Sequence, residues 1–286
     1  MIPRDELATT IRAGIRQGRI ETRLTLTTLG DLLGYLIPTA GLLTVLVFQR
    51  GHKVAGTGFS LGAVTLPSVI GAGFALAGLM TFSLKLAEER TDGTLLRAKA
   101  MPHGMTGYLI GKSITVAAGS AIGFVLTLVP GLFLLPDVSL RTPAAWLTLV
   151  AVAVLSLLAT IPIGAVIGSV FSDPSWTGIT ILPGFGLIAI SGMFYPITHF
   201  PVWLQDIAQV FPLYWAGLGM RSALLPAHAA AVEIGGSWRH LATFAVLGAW
   251  AVAGMLLAPW VLRRMARKES GSSMEMRKAK AFARAR

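Results

Sequence analysis

"SITVAAGSAIGFVLTLVPGLFLL", residues Ser113–Leu135, runs for 23 residues without a single charge. An α-helix needs about 20 apolar residues to cross the ~30 Å hydrocarbon core of a bilayer, and a soluble core helix is usually shorter. Five further blocks of similar length lie on either side: Asp31–Phe48, Val64–Leu84, Ala144–Phe171, Trp176–Tyr195 and Leu241–Leu262. The composition agrees, with 54% hydrophobic and only 13% charged residues, where soluble domains carry roughly 25% charged. The reading is all-α: a polytopic membrane protein with six transmembrane helices.

Charge then orients the chain. With six spans both termini share one side. That side collects 19 Lys and Arg: Arg4, Arg12, Arg16, Arg19 and Arg23 in the leader, Lys85, Arg90, Arg97, Lys99 and Lys112 in the second loop, and nine from Arg263 to Arg286. The opposite side holds five, namely Arg50, Lys53, Arg141, Arg221 and Arg239. Cytoplasmic loops carry the positive excess, so the N- and C-termini are expected in the cytoplasm of a multi-pass plasma (inner) membrane protein. The net charge of +11 is thereby read as contact with anionic headgroups, not as a nucleic-acid surface. The chain has no cysteine, which excludes disulfides and leaves the redox compartment unread. Its first thirty residues do not read as a cleavable signal.

The leader is a helix of a different kind. At 100° per residue, Arg12, Arg16, Arg19 and Arg23 fall within an arc of roughly 60°, while Leu7, Ile11, Ile15, Ile20 and Leu24 lie outside it. A basic stripe with apolar flanks fits a helix lying in the inner headgroup layer; a plain solvated helix is the alternative. After the fifth block, Pro196, Pro201 and Pro212 divide an apolar, aromatic stretch, Ser191–Leu225, into pieces too short to cross. Two short helices, roughly Pro201–Phe211 and Leu213–Leu224, are expected to dip into the outer leaflet, since broken backbone at membrane depth survives only when covered. An interfacial aromatic belt is compatible with this.

The one strongly charged internal stretch immediately precedes the opening block: "LAEERTDGTLLRAKAMPHGMTGYLIGKS", Leu86–Ser113. Its end resembles a phosphate-binding loop and fails the test. G-x-x-x-x-G-K-[ST] requires glycine where Thr106 stands, and no strand precedes Gly111-Lys112-Ser113. Gly107 and Gly111 are read as close-packing residues. Glu88, Glu89 and Asp92 could hold a metal or serve as acid and base, but catalytic pairs need enclosure that separates their proton affinities, and these lie among Lys85, Arg90 and Arg97 at a boundary with water. An exposed docking helix is favoured. The histidines show no metal spacing, no G-x-S-x-G elbow exists, and charge inside the spans is confined to Asp31 at the mouth of the first. Ion-coupled carriers place ionisable residues at mid-membrane, so energy for transport is expected from outside this chain.

Two stretches carry a family resemblance: "EERTDGTLLRAKAMPHGMTGYLIGKSI" (Glu88–Ile114) and "SGMFYPITHFPVWLQDIAQVFPLYWAGLGMR" (Ser191–Arg221). The chain resembles the permease subunit of type-two ATP-binding-cassette exporters of the drug-resistance kind, a group that also exports polysaccharides and lipids. The first stretch is similar to the family's cytoplasmic coupling loop, the second to its outer-leaflet re-entrant hairpin. The resemblance implies one transmembrane permease domain, residues 1–262, with an amphipathic connector helix (1–28), a coupling loop (86–107), a re-entrant hairpin (191–225) and a basic cytoplasmic tail without fixed structure (263–286).

It further implies a non-catalytic subunit that binds no cofactor or metal. ATP and Mg would sit on a separate cytoplasmic ATPase, in two copies, and a second permease, identical or homologous, would complete the passage. The coupling residues would be Glu88, Glu89, Arg90, Thr91, Asp92, Gly93, Thr94, Leu95 and Leu96, within a rigid helix over Glu88–Lys99 that has Leu95 and Leu96 as apolar anchor. The arginine stripe would hold that helix at the membrane. Cargo, hydrophobic or amphipathic given the nearly uncharged interior, would pass Phe74, Met193, Phe194 and Tyr195. Two alternatives stand beside this reading: a lipid-modifying enzyme using Glu88, Glu89, Asp92 and His103, and a non-transporting anchor for an ATPase.

Overall fold

The computed structural model describes residues 4–54, 58–101, 104–170, 177–193 and 197–268. Among them the fold is helical, with β-structure limited to an isolated bridge between Lys53 and Ser60. The leader forms α1 (Arg4–Thr27). Thr28 is extended, at φ −91° and ψ 119°, and turns the chain into α2 (Leu29–Gln49). The Ser60 hydroxyl then accepts from the Ala63 amide at 3.2 Å and starts α3 (Leu61–Leu76), satisfying one of the donors that a helix start leaves open.

That helix continues through a π-helical segment, Ala77–Thr81, into α4 (Phe82–Asp92). A short α5 (Thr94–Ala100) follows, then α6 (Gly104–Leu134) and α7 (Pro143–Val170). Beyond these lie α8 (Thr177–Ile190), α9 (Val202–Val210), α10 (Pro212–Leu224) and α11 (His240–Lys268).

Among the described residues, five stretches are long and apolar enough to cross a membrane: Leu29–Gln49, Leu61–Arg90, Gly104–Leu134, Pro143–Ser169 and His240–Leu262. They match five of the six expected blocks. The remaining block, the fifth in chain order, is represented by α8, whose 14 residues extend about 21 Å, short of the hydrocarbon thickness; residues 171–176 and 194–196 lie outside the described structure. α11 runs on to Lys268, past the Leu262 end of the last apolar block.

The core forms where α10 lies enclosed by α3, α7 and α11. α10 is buried on every side from Pro212 to Met220, the pattern of a helix that meets only protein. Leu66, Ile70, Tyr214, Trp215, Leu218, Val152 and Leu247 fill the space. The proline-bounded pieces of Ser191–Leu225 therefore fold as two short helices, α9 and α10, broken at extended Phe211. α2 behaves oppositely: only 6% of its apolar window is buried, against 67% for the second span. It stands at the edge of the bundle.

The expectation of a nearly uncharged interior needs correction. Arg221 on α10 is 2% exposed; its Nε and Nη2 donate to the two Glu233 carboxylate oxygens at 2.6 and 3.2 Å, and its Nη1 donates to Ser68 Oγ at 2.8 Å. Burying an arginine is tolerated here because its planar fork is matched by a carboxylate and the remaining donor is occupied. This pair ties α10 and α3 to the segment that leads into α11.

Candidate functional site

The coupling stretch is a bent element. α4 ends at Asp92, Gly93 adopts φ +87°, and α5 begins at Thr94. A left-handed residue ends a helix without steric cost only where there is no Cβ. Asp92 Oδ1 then accepts from the Thr94 amide at 3.0 Å and starts the next helix. The single rigid helix expected over Glu88–Lys99 is thus an elbow of two helices.

Burial sorts its residues. Glu88 and Asp92 are exposed, as are Arg97 and Lys99. Thr94 and Leu96 are half-buried, and Thr91 lies within α4. Leu95 is 2% exposed and Arg90 is 6% exposed; both face the protein's own interior. The Arg90 guanidinium donates to the carbonyls of Gly168 and Ser169 at 3.1 and 2.8 Å, occupying acceptors at the end of α7 that the helix itself leaves open. A cation there also complements the helix dipole.

Glu89 turns inward to a buried cluster that the sequence reading did not anticipate. Lys112 on α6, 4% exposed at its side chain, forms ion pairs with Glu89 on α4 and with Glu21 on α1, the latter at 2.8 Å. Glu21 also accepts from Gln17 Nε2 and from Thr115 Oγ1, each at 3.0 Å. Burial raises the Glu21 proton affinity, but the hydrogen bond and positive charge of Lys112, aided by Gln17 and Thr115, outweigh it and hold the carboxyl below its ordinary 4.5. Three elements therefore meet on one ammonium: the leader, the end of the second span and the start of the third.

Backbone proximity makes the meeting possible. Gly14 and Gly18 of α1 lie against Gly107 and Gly111 of α6; a Cβ on Gly14 would sit 2.7 Å from the Gly107 carbonyl, and one on Gly18 would sit 2.9 Å from that of Gly111. Two facing small-x-x-x-small ridges allow this approach, as expected for Gly107 and Gly111. Arg12, Arg16, Arg19 and Arg23 are all exposed, on the side of α1 away from that seam. A readable signal for Glu21 existed: at 100° per residue it lies nearly opposite the arginine stripe. Lys112 was visible as a basic residue of the second loop and as part of a failed phosphate-loop match.

Phe74, expected on the cargo path, is buried and paired with Phe124 at 5.7 Å between ring centroids. It lines a cavity of about 610 Å³ between α2, α3, α4 and α6. Met193 is half-buried beside Gly192, whose carbonyl lies 3.5 Å from Arg221 Nη1; Phe194, Tyr195 and His103 fall outside the described residues. The acids of the enzyme alternative do not converge, because Glu89 is engaged by Lys112 while Glu88 and Asp92 face outward. Among the described residues no group of three or more His, Asp or Glu is placed to hold a metal ion.

No curated protein matches the chain. The family model described as ABC-2 family transporter protein matches residues 56–253, well over half of the sequence and all of α3 to α10. An all-helical bundle of apolar spans, a bent polar element between the second and third, and that match lead to one conclusion: the chain belongs to the ABC-2 transporter family, as a transmembrane component of an ATP-binding-cassette transporter.

Proposed function

We propose that the chain is the permease of an ATP-driven exporter and carries a hydrophobic or amphipathic substrate through the plasma membrane with both termini cytoplasmic. ATP, with Mg, is hydrolysed by a separate ATPase subunit, expected in two copies, and a second permease supplies the other half of the passage. The observation that carries this reading is the elbow at Gly93, joined through Glu89, Lys112 and Glu21 to the leader helix. A force applied to exposed Glu88, Asp92, Arg97 and Lys99 reaches α4 and α6 through buried charge and close backbone, with little slack.

Closure of the ATPase dimer changes the permease only if it favours one of two arrangements. The elbow offers such a lever: α4 continues directly into the second span, so displacement of α5 pulls on the wall of the passage through the π-helical segment. Such segments often mark functional positions in helices. α9 and α10 act in this reading as the outer-leaflet hairpin, held by Arg221 and Glu233, and α8 belongs to the fifth of the six spans.

Co-reconstitution with the cognate ATPase tests the proposal. Charge reversal at Glu88 and Asp92 together should abolish ATP-dependent efflux while ATP hydrolysis persists. Unchanged efflux, or nucleotide or lipid turnover by the isolated chain, would overturn it.

A further inference from the structure

Within that reading, we infer that the cavity between α2, α3, α4 and α6 is a binding site for an amphiphile whose headgroup carries both a positive and a negative charge. Its volume, about 610 Å³, lies in the range of small-molecule sites. Asp31 and Lys85 are the charged residues among those lining it, and they are of opposite sign. Neither is in an ion pair among the described residues, with the other or with a third group. Two separated, opposite charges on one cavity are a template for a zwitterion. A ligand with a single charge would meet one of them as a repulsion.

Depth supports the same occupant. Asp31 lies in the first turn of α2 and Lys85 in α4, at the end of the bundle where α1 and the elbow sit. Tyr35 adds a hydroxyl next to this mouth, and deeper the lining is mostly apolar, with Leu42, Ile70 and Phe74 alongside Thr39 and Thr127. From Asp31 to Leu42 the α2 axis rises about 16 Å, roughly half of the hydrocarbon thickness. A charged mouth and a mostly apolar floor over that distance match one lipid-like molecule standing in a single leaflet. Because α2 stands at the edge of the bundle with Leu33, Leu36 and Ile37 exposed, the site abuts the bilayer, and the ligand enters sideways.

The shared chemistry belongs to two sources, a resident membrane phospholipid and a transported amphiphile. The experiment separates them. The full chain in phosphatidylglycerol nanodiscs, without ATPase or ATP, is irradiated with a photoactivatable dodecylphosphocholine. Labelled peptides are expected from α2 and α3. Unlabelled dodecylphosphocholine should displace the probe about tenfold better than dodecyltrimethylammonium or dodecyl sulfate, the factor that one charge-assisted hydrogen bond contributes.

Gly73 supplies the blocking variant. It lines the cavity, and a Cβ added there meets nothing within 4 Å, so a larger side chain starts in open space at this position and Gly73→Phe should occlude the site and abolish labelling. Asp31→Asn and Lys85→Gln should each erase the preference for the zwitterion while the chain stays folded. Equal displacement by all three headgroups, or labelling that survives Gly73→Phe, overturns the proposal. Given labelling, loss of ATP-dependent probe efflux in Gly73→Phe assigns the site to cargo, and unchanged efflux assigns it to a resident lipid. Since labelling needs no transport, failure of the exporter reading leaves this result standing.

Discussion

Lys112 joins three helices through a single ammonium group. Its removal leaves Glu21 and Glu89 facing each other without a cation in a largely dry place. Lys112→Met should destabilise the protein by about 3 kcal/mol, at the lower end for a broken buried pair because Glu21 keeps a quarter of its side chain exposed. Denaturant unfolding in detergent measures this, and adding Glu21→Gln and Glu89→Gln to Lys112→Met should recover part of the loss. The same contact has a pH signature. The Glu21 carboxyl is held below 4.5 when folded, so its contribution is fully present above that pH and is lost as pH falls through the lowered value. The attachment of α1 should therefore be unchanged between pH 8 and 5 and loosen only in stronger acid, as read by protease cleavage within the leader.

At the scale of elements, the elbow depends on Gly93. An alanine at φ +87° costs about 1–2 kcal/mol, which favours straightening α4 into α5. Gly93→Ala should lower ATP-dependent efflux severalfold more than it lowers the amount of folded protein. An equal loss of both would make the residue merely structural. The elbow was half-legible beforehand: the polar stretch and the interrupting glycine stood out in the sequence, whereas the inward turn of Arg90 and Leu95 did not. Periodicity over so short an element does not tell which face meets a neighbour, and here α6 and α7 supply that neighbour.

For the molecule as a whole, topology yields a clean test. Arg90 contacts the last turn of α7, and Arg141 precedes its first turn, so Glu88 and Arg141 lie at opposite ends of a 28-residue helix, about 42 Å apart along its axis. The sequence contains no cysteine, so single substitutions report without background. Glu88→Cys should react with an impermeant maleimide only from the cytoplasmic side, and Arg141→Cys only from the outer side. Both reacting from one side would refute the arrangement of spans.

Length and hydropathy alone determined that this chain is a helical membrane protein, because a bilayer demands about 20 apolar residues wherever a helix crosses and allows few other solutions. The arginine asymmetry likewise determined its expected orientation, and prolines marked where α9 and α10 break. Tertiary structure decided which charges are hidden. Arg221, Glu233, Glu21 and Lys112 look like loop or boundary charges along the chain, yet each is paired with a residue on another element. It also decided that α2 stands apart and leaves a cavity beside it. Pairing and cavities are properties of helices brought together, set by where glycine ridges let backbones touch, and linear spacing does not encode that.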